Sequence, residues 1–263
     1  MPCALDRGGR EKCGSGEMLR GGWLKRSVFP DSMEQPLLEE FFQSSRGYFV
    51  EVGANDPVVD SKTYNLEQSG WTGLLIEPQP ALAQRLRAER KAAVGSFACG
   101  PRSRHQTTMT LHVAGDRGIH SSLKPTHFVA GSQVTAKIEV PVVTLDSALE
   151  DHKAPCPLDF LAVDTEGFDL DVLEGIDLAR WRPRLILIED VALNLETHRY
   201  LTRRGYRWIA RSGLNSWYVP AADASWMGPV GWWQFLRKYY LGTPFRILRE
   251  ARRKRRAAAS RGS

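Results

Sequence analysis

Apolar and polar positions along the chain fall into two alternating periods. Short runs with the character of buried strands occur at 48–53, 73–77, 93–98, 159–163 and 185–189. Between them, spacing near 3.6 residues predicts helices over 34–43, 61–69, 80–91, 169–176 and 194–204. Runs such as Leu74-Leu75-Ile76 and Leu185-Ile186-Leu187-Ile188 are apolar without interruption, as expected for strands covered on both faces. Strand and helix in alternation predict an α/β protein with a mostly parallel sheet. Near the end, Tyr206 to Arg211 and Ser216 to Val219 flank Ser212-Gly213-Leu214-Asn215 and read as an antiparallel edge hairpin. The expected fold is therefore Rossmann-like, with seven strands, an antiparallel edge and a helical C-terminal extension. Two β-like pieces, Thr108 to Val113 and Ile138 to Val143, form an insertion over about 100–145, expected to act as a substrate lid.

Composition adds boundaries. Residues 1–32 are rich in Gly, Arg and Lys near their start and are expected to be unstructured, with Met18 or Met33 as alternative starts. The folded domain is expected over 33–222 and the extension over 223–263. The net charge of +6 sits almost wholly in Arg246 to Arg256, which holds seven basic residues against Glu250. A basic tail on a nearly neutral body points to tethering rather than to a nucleic-acid partner. Cys3, Cys13, Cys99 and Cys156 show neither close pairing nor metal-ligand spacing, which favours a reducing compartment. With no long apolar run and no secretory pattern, a cytoplasmic location is expected, peripheral to the inner face of a membrane if the tail tethers.

Chemistry concentrates at the strand ends. The first strand runs into Glu51-Val52-Gly53-Ala54-Asn55-Asp56 and the second ends in Glu77-Pro78-Gln79. Gly53 permits a positive φ and close approach of a ligand, and Glu77 is placed to accept hydrogen bonds from ribose hydroxyls. A dinucleotide fold would supply three glycines around its pyrophosphate, and here there is one. An adenosine without phosphates fits better, which points to S-adenosylmethionine. The same argument sets aside a nicotinamide-dependent reductase.

These residues carry a family resemblance. Phe49 to Asp56, Gly70 to Pro78, Ser121-Ser122-Leu123 and Asp159-Phe160-Leu161-Ala162-Val163-Asp164-Thr165-Glu166-Gly167, continuing through Val172, Leu173 and Gly175, resemble the FkbM methyltransferases over roughly residues 47–190. The resemblance implies a class I methyltransferase fold, S-adenosylmethionine as cofactor and a hydroxyl oxygen as the usual acceptor. It departs at Pro57, where the family usually has glycine, and at Lys62, often asparagine. Pro57 disfavours helix at Asp56, so an extended loop is expected before the next helix.

The candidate cofactor-binding set is Glu51, Gly53, Ala54, Asn55, Thr63, Glu77, Pro78, Gln79, Ala98, Cys99, Ser122 and Asp164. Glu51, Gly53 and Asn55 are expected beneath the methionine and ribose portions, and Ala98 and Cys99 beside the adenine. The candidate catalytic set is Asp164, Glu166, Asp190 and His120. Transfer to oxygen requires loss of a proton from the hydroxyl, and a carboxylate or an imidazole can take it. Asp164 and Glu166 also have structural readings, as helix caps or buried paired acids. Oxygen ligands from Asp164, Glu166 and Asp190 would suit magnesium, but the spacing does not define a site, and no residue is assigned to a metal.

In the extension, Trp232, Phe235, Leu236, Tyr239 and Tyr240 share one helical face, and Thr243-Pro244 reads as the start of a second helix. That stripe would pack on the sheet, on a second subunit in a homodimer, or on anionic lipid. The sequence is thus read as an O-methyltransferase for a carbohydrate, glycolipid or related hydroxylated metabolite. The alternative is a catalytically silent Rossmann-like binding module at a membrane surface.

Overall fold

A computed structural model describes residues 28–114, 121–124, 134–189 and 195–226, with shorter pieces between 232 and 252. The main sheet begins with β1 (Val28–Phe29) and continues with β2 (Tyr48–Val52), β3 (Thr72–Ile76), β4 (Ala93–Gly95) and, later in the chain, four further strands, of which β8 (Phe160–Val163) and β9 (Leu185–Glu189) come first. Those last numbers leave room for a smaller sheet of β5 (Ala98–Cys99), β6 (Thr107–Ala114) and β7 (Val134–Val143). The edge hairpin is β10 (Tyr206–Ser212) with β11 (Asn215–Pro220), and the main sheet runs β1-β10-β11-β9-β8-β2-β3-β4, eight strands in all. Strands β4, β3, β2, β8 and β9 are parallel, while β11 is antiparallel to both β9 and β10.

The seven expected strands are present, and β1 is an addition. It lies within the segment read as unstructured and pairs in parallel with Arg211 and Ser212. Two residues are too few to show any alternation, so the pattern could not reveal them. Residues 1–27 lie outside the described residues.

Helices α1 (Glu34–Phe42), α2 (Tyr64–Gln68) and α3 (Pro80–Glu89) cover one face of the sheet. Leu37, Leu38, Phe41, Phe42, Leu66 and Leu86 meet Phe49, Leu75, Phe160 and Trp217 there. Helices α4 (Leu145–Asp151), α5 (Asp169–Glu174), α6 (Leu178–Trp181) and α7 (Glu196–Arg203) cover the other, where Leu149, Val172, Trp181 and Leu201 meet Val50, Ile76, Val163 and Ile188. Successive strand residues point to opposite faces, so Phe49 and Val50 serve different cores. That is why the strands read as unbroken apolar runs.

The expected strand 93–98 needs correction, since it divides between β4 and β5 in two different sheets. The Phe97 ring folds back over Gly95, where a Cβ would meet it at 2.5 Å, and the chain leaves the main sheet at that turn. The insertion then forms its own antiparallel pair, with β5 parallel to β7.

Candidate functional site

Strands β2, β3, β8 and β9 end on the same edge, and two depressions meet there. The backbone sets the first. Gly53 has φ +84, and its amide donates to the Ile76 carbonyl at 2.9 Å. A Cβ on Gly53 would lie 1.9 Å from the Asp164 carbonyl oxygen, so only glycine lets the ends of β2 and β8 come this close. Asn55, at φ 48, turns its amide onto Glu77 Oε2 at 3.0 Å, and the Gln79 amide donates to Glu77 Oε1 at 2.8 Å. Glu77 is 3% exposed. Burial pushes its carboxyl up to about 7, against these two hydrogen bonds.

Around Glu77 lies a narrow cleft of about 60 Å³, walled by Ile76, Pro78, Phe97, Ala98, Cys99, Leu111, Leu123 and Phe168. Gln79 Nε2 donates to Ser121 Oγ at 3.2 Å across its lip. Each carboxylate oxygen has lone-pair capacity beyond its single backbone donor. A flat apolar ring between the walls, with neighbouring hydroxyls on Glu77, answers both the apolar lining and the buried acid. The residues therefore fit the adenosine portion of S-adenosylmethionine.

The second depression is a cavity of about 680 Å³ on the other side of Gly53 and Asp164. Its roof is the loop from Gly53 to Thr63, held from below. Glu51 accepts from Ser61 Oγ at 3.1 Å, Lys62 N at 2.8 Å and Thr63 Oγ1 at 2.5 Å. Arg90, whose side chain is fully buried, ion-pairs with Glu67 at 2.8 Å. It also donates to the Pro57 carbonyl, Ser61 Oγ and Thr63 Oγ1 at 3.0–3.1 Å. The extended loop expected at Pro57 is thus corrected. The segment winds through left-handed residues at Asn55 and Asp60, Asp56 accepts from the amides of Val58 and Val59, and α2 begins only at Tyr64.

Of the residues read as cofactor-binding, Gly53, Asn55, Glu77, Pro78, Gln79, Ala98, Cys99 and Asp164 line the narrow cleft. Ala54 and Glu51 line the wide cavity instead. Thr63 and Ser122 line neither. Thr63 is held between Glu51 and Arg90, while Ser122 donates to the Glu166 carbonyl at 2.9 Å and accepts from the Lys124 amide. Both hydroxyls are engaged within the protein, and residue type and position alone could not show where they point. His120 and Asp190 lie outside the described residues.

Asp164 lines both depressions, as do Glu166, Gly53 and Asn55. Its side chain hydrogen-bonds with that of Glu189, at the end of the neighbouring strand. Lys62 Nζ approaches Asp164 Oδ2 at 3.8 Å and Glu34 Oε1 at 3.5 Å. Burial raises the Asp164 carboxyl above its ordinary range, opposed chiefly by Lys62. Burial, followed by the carboxylates of Asp164, Asp169 and Glu166, pushes Glu189 up to about 8. Burial acts to lower Lys62, but Glu34, Asp164 and Glu51 outweigh it and hold the ammonium above its ordinary value. Both carboxyls are thus displaced toward their neutral forms, with the Lys62 ammonium opposing this at Asp164. Glu166, at φ 51, turns the chain between the depressions. Asp169 accepts from the Thr165 amide and hydroxyl, both at 2.9 Å, which ties the start of α5 back to the loop before it, while Phe168 at the N-cap offers the helix amides no side-chain cap.

Glu189 and Arg90 were not singled out as site residues by sequence reasoning. Glu189 had a signal, since it ends an apolar strand beside Asp190. Arg90 had none, because only the folded chain brings Glu67, Pro57, Ser61 and Thr63 around it. Among the described residues no group of three or more His, Cys, Asp or Glu side chains could hold a metal ion.

The sequence profile of the family described as Methyltransferase FkbM domain matches residues 51–208, well over half of the chain. No curated protein matches. Among solved structures, the methyltransferase FkbM from Methylobacillus flagellatus KT matches at 16% identity and a TM-score of 0.46. The match covers 73% of this chain and 48% of that one, so the chain spans about half the length of that protein.

Proposed function

Because the chain belongs to the FkbM methyltransferase family, we propose that it moves a methyl group from S-adenosylmethionine to a hydroxyl of a carbohydrate, glycolipid or related metabolite. The observation that carries this reading is the position of Asp164, on the wall shared by a narrow, mostly apolar cleft around Glu77 and a wide cavity rich in carboxyl groups.

The cofactor would be held by Glu77, by the backbone of Asn55 and Gln79 around it, and by the rings of Phe97 and Phe168. When bound, it would supply a methyl group activated by a sulfonium charge. Asp164 takes the proton of the acceptor hydroxyl on its carboxylate, while Glu189 beside it, pushed up to about 8, keeps its own proton below that pH. A base whose pKa is raised toward the working pH is the more effective one, and burial, aided by the charges of Glu34 and Asp60, raises Asp164 in that direction. Lys62 keeps Asp164 ionised while the site awaits its acceptor. Eight carboxyl groups and only Lys62 and Arg85 as bases line the wide cavity, which supports an acceptor rich in hydroxyls rather than a strongly anionic one.

The test is transfer of isotope-labelled methyl from S-adenosylmethionine into an envelope glycan and lipid extract. An ether-linked label, absent with Asp164→Asn, is the expected result. Label in a base-labile ester would contradict the hydroxyl acceptor. Tight cofactor binding without transfer to any fraction would favour the silent module.

A further inference from the structure

Among the described residues of the C-terminal segment, Phe235 is the buried one, packing 5.2 Å from His198 and 5.3 Å from Trp208, centroid to centroid. The sequence left that stripe to pack on the sheet, on a second subunit or on lipid, and three of its members are not covered by the chain itself. Trp232, Leu236 and Tyr240 are 50%, 41% and 55% exposed. Trp233, Leu241, Phe245 and Leu248 are also exposed, Phe245 at 75%. Seven of the twelve exposed large hydrophobic side chains among the described residues thus fall within 232–248, so the apolar surface is one local patch rather than a scatter.

Directly after it comes the run Arg246 to Arg256, with seven basic residues and one acid. We propose that this segment is a docking surface for an anionic lipid bilayer, with its aromatic and leucine side chains entering the interface and its arginines meeting the headgroups. Charge selects this occupant. A second copy of the chain would bring the same cationic run against this one, whereas an anionic bilayer complements it. The exposed leucines beside the tryptophans suit hydrocarbon better than nucleic-acid bases, which stack on rings. No helix among the described residues is long and apolar enough to cross a membrane, so the contact is with the surface. Phe235 fixes the segment to α7 and β10, which ties the catalytic domain to the bilayer independently of what the site methylates.

The experiment is co-sedimentation of the full chain with vesicles of phosphatidylcholine alone and of phosphatidylcholine mixed with phosphatidylglycerol. Binding to the mixed vesicles is expected, weaker by about tenfold or more on the neutral ones. The double variant Trp233→Glu with Phe245→Glu changes two exposed positions. It should lose about tenfold or more of its vesicle affinity while its melting temperature and cofactor affinity stay unchanged. Four results would overturn the proposal: no sedimentation with either vesicle, equal sedimentation of the double variant, a concentration-dependent dimer that the double variant abolishes, or tighter binding to a single-stranded oligonucleotide than to the mixed vesicles.

Discussion

In the narrow cleft the polar work is done by main chain: the amides of Asn55 and Gln79 hold Glu77, and the glycine backbone of Gly53 lies against Asp164. In the wide cavity it is done by side chains from distant segments, Glu34, Lys62, Asp164 and Glu189, which bond to one another. Backbone geometry is fixed once the strands pair, so the cleft is rigid and makes one kind of contact. Side chains can be exchanged without disturbing the sheet, so under the proposed function the cavity would be where the acceptor is chosen. The two regions should therefore respond differently to substitution and to pH.

The largest expected effect is at their common wall. Gly53→Ala introduces a Cβ 1.9 Å from the Asp164 carbonyl at a φ of +84, and strain plus overlap should cost about 3–5 kcal/mol of folding stability. Denaturant unfolding measures this, and cofactor affinity should fall with it. Next, Asp164→Asn should slow methyl transfer by about 10²- to 10⁴-fold, the range of a lost general base, with the fold retained. Steady-state rates with any accepted hydroxyl read it out. Glu189→Gln keeps a hydrogen-bonding group beside Asp164 but cannot ionise. It should leave cofactor affinity unchanged and flatten the rise in rate expected of the native protein as pH passes about 8. A native-like pH profile in this variant would separate Glu189 from the chemistry.

The smallest effect is a pH signature that distinguishes the regions. Glu77 lies at about 7 and Glu189 at about 8 in the ligand-free protein, both above the ordinary 4.5. A raised carboxyl favours the folded state in its neutral form. Its contribution is complete below about 4.5 and is lost as pH rises through the folded value. The melting temperature of the empty protein should therefore fall from about pH 5 to about pH 8. Hydroxyl donors on Glu77 favour its ionised form, so cofactor affinity should rise through about pH 7 while turnover rises through about pH 8. Calorimetry in buffers of different ionisation enthalpy detects the proton released on binding.

The same contrast explains what could be read from the sequence. Strands, their order of types, and the cleft residues Gly53, Asn55, Glu77 and Asp164 were legible, because apolar runs and the residues at their ends specify backbone positions directly. The wide cavity was legible only in part. Lys62 stood out as an unusual residue, but its ion pairs with Glu34 and Asp164 join positions far apart in the chain. Arg90 could not be anticipated, since a buried arginine just past the end of a helix gives no local sign of the loop it holds. Thr63 and Ser122 stood beside site residues in sequence yet turn their hydroxyls inward. The break between β4 and β5 was hidden because Phe97 looks like a strand residue until it folds over Gly95.

The account stands most directly on titration of S-adenosylmethionine into the native protein and into Glu77→Ala. It predicts saturable binding that weakens in the variant by about 1.5–3 kcal/mol, as when a charged hydrogen-bonding partner is removed. Equal affinity in the two proteins, or a native protein that ignores this ligand and takes NADPH, would contradict it.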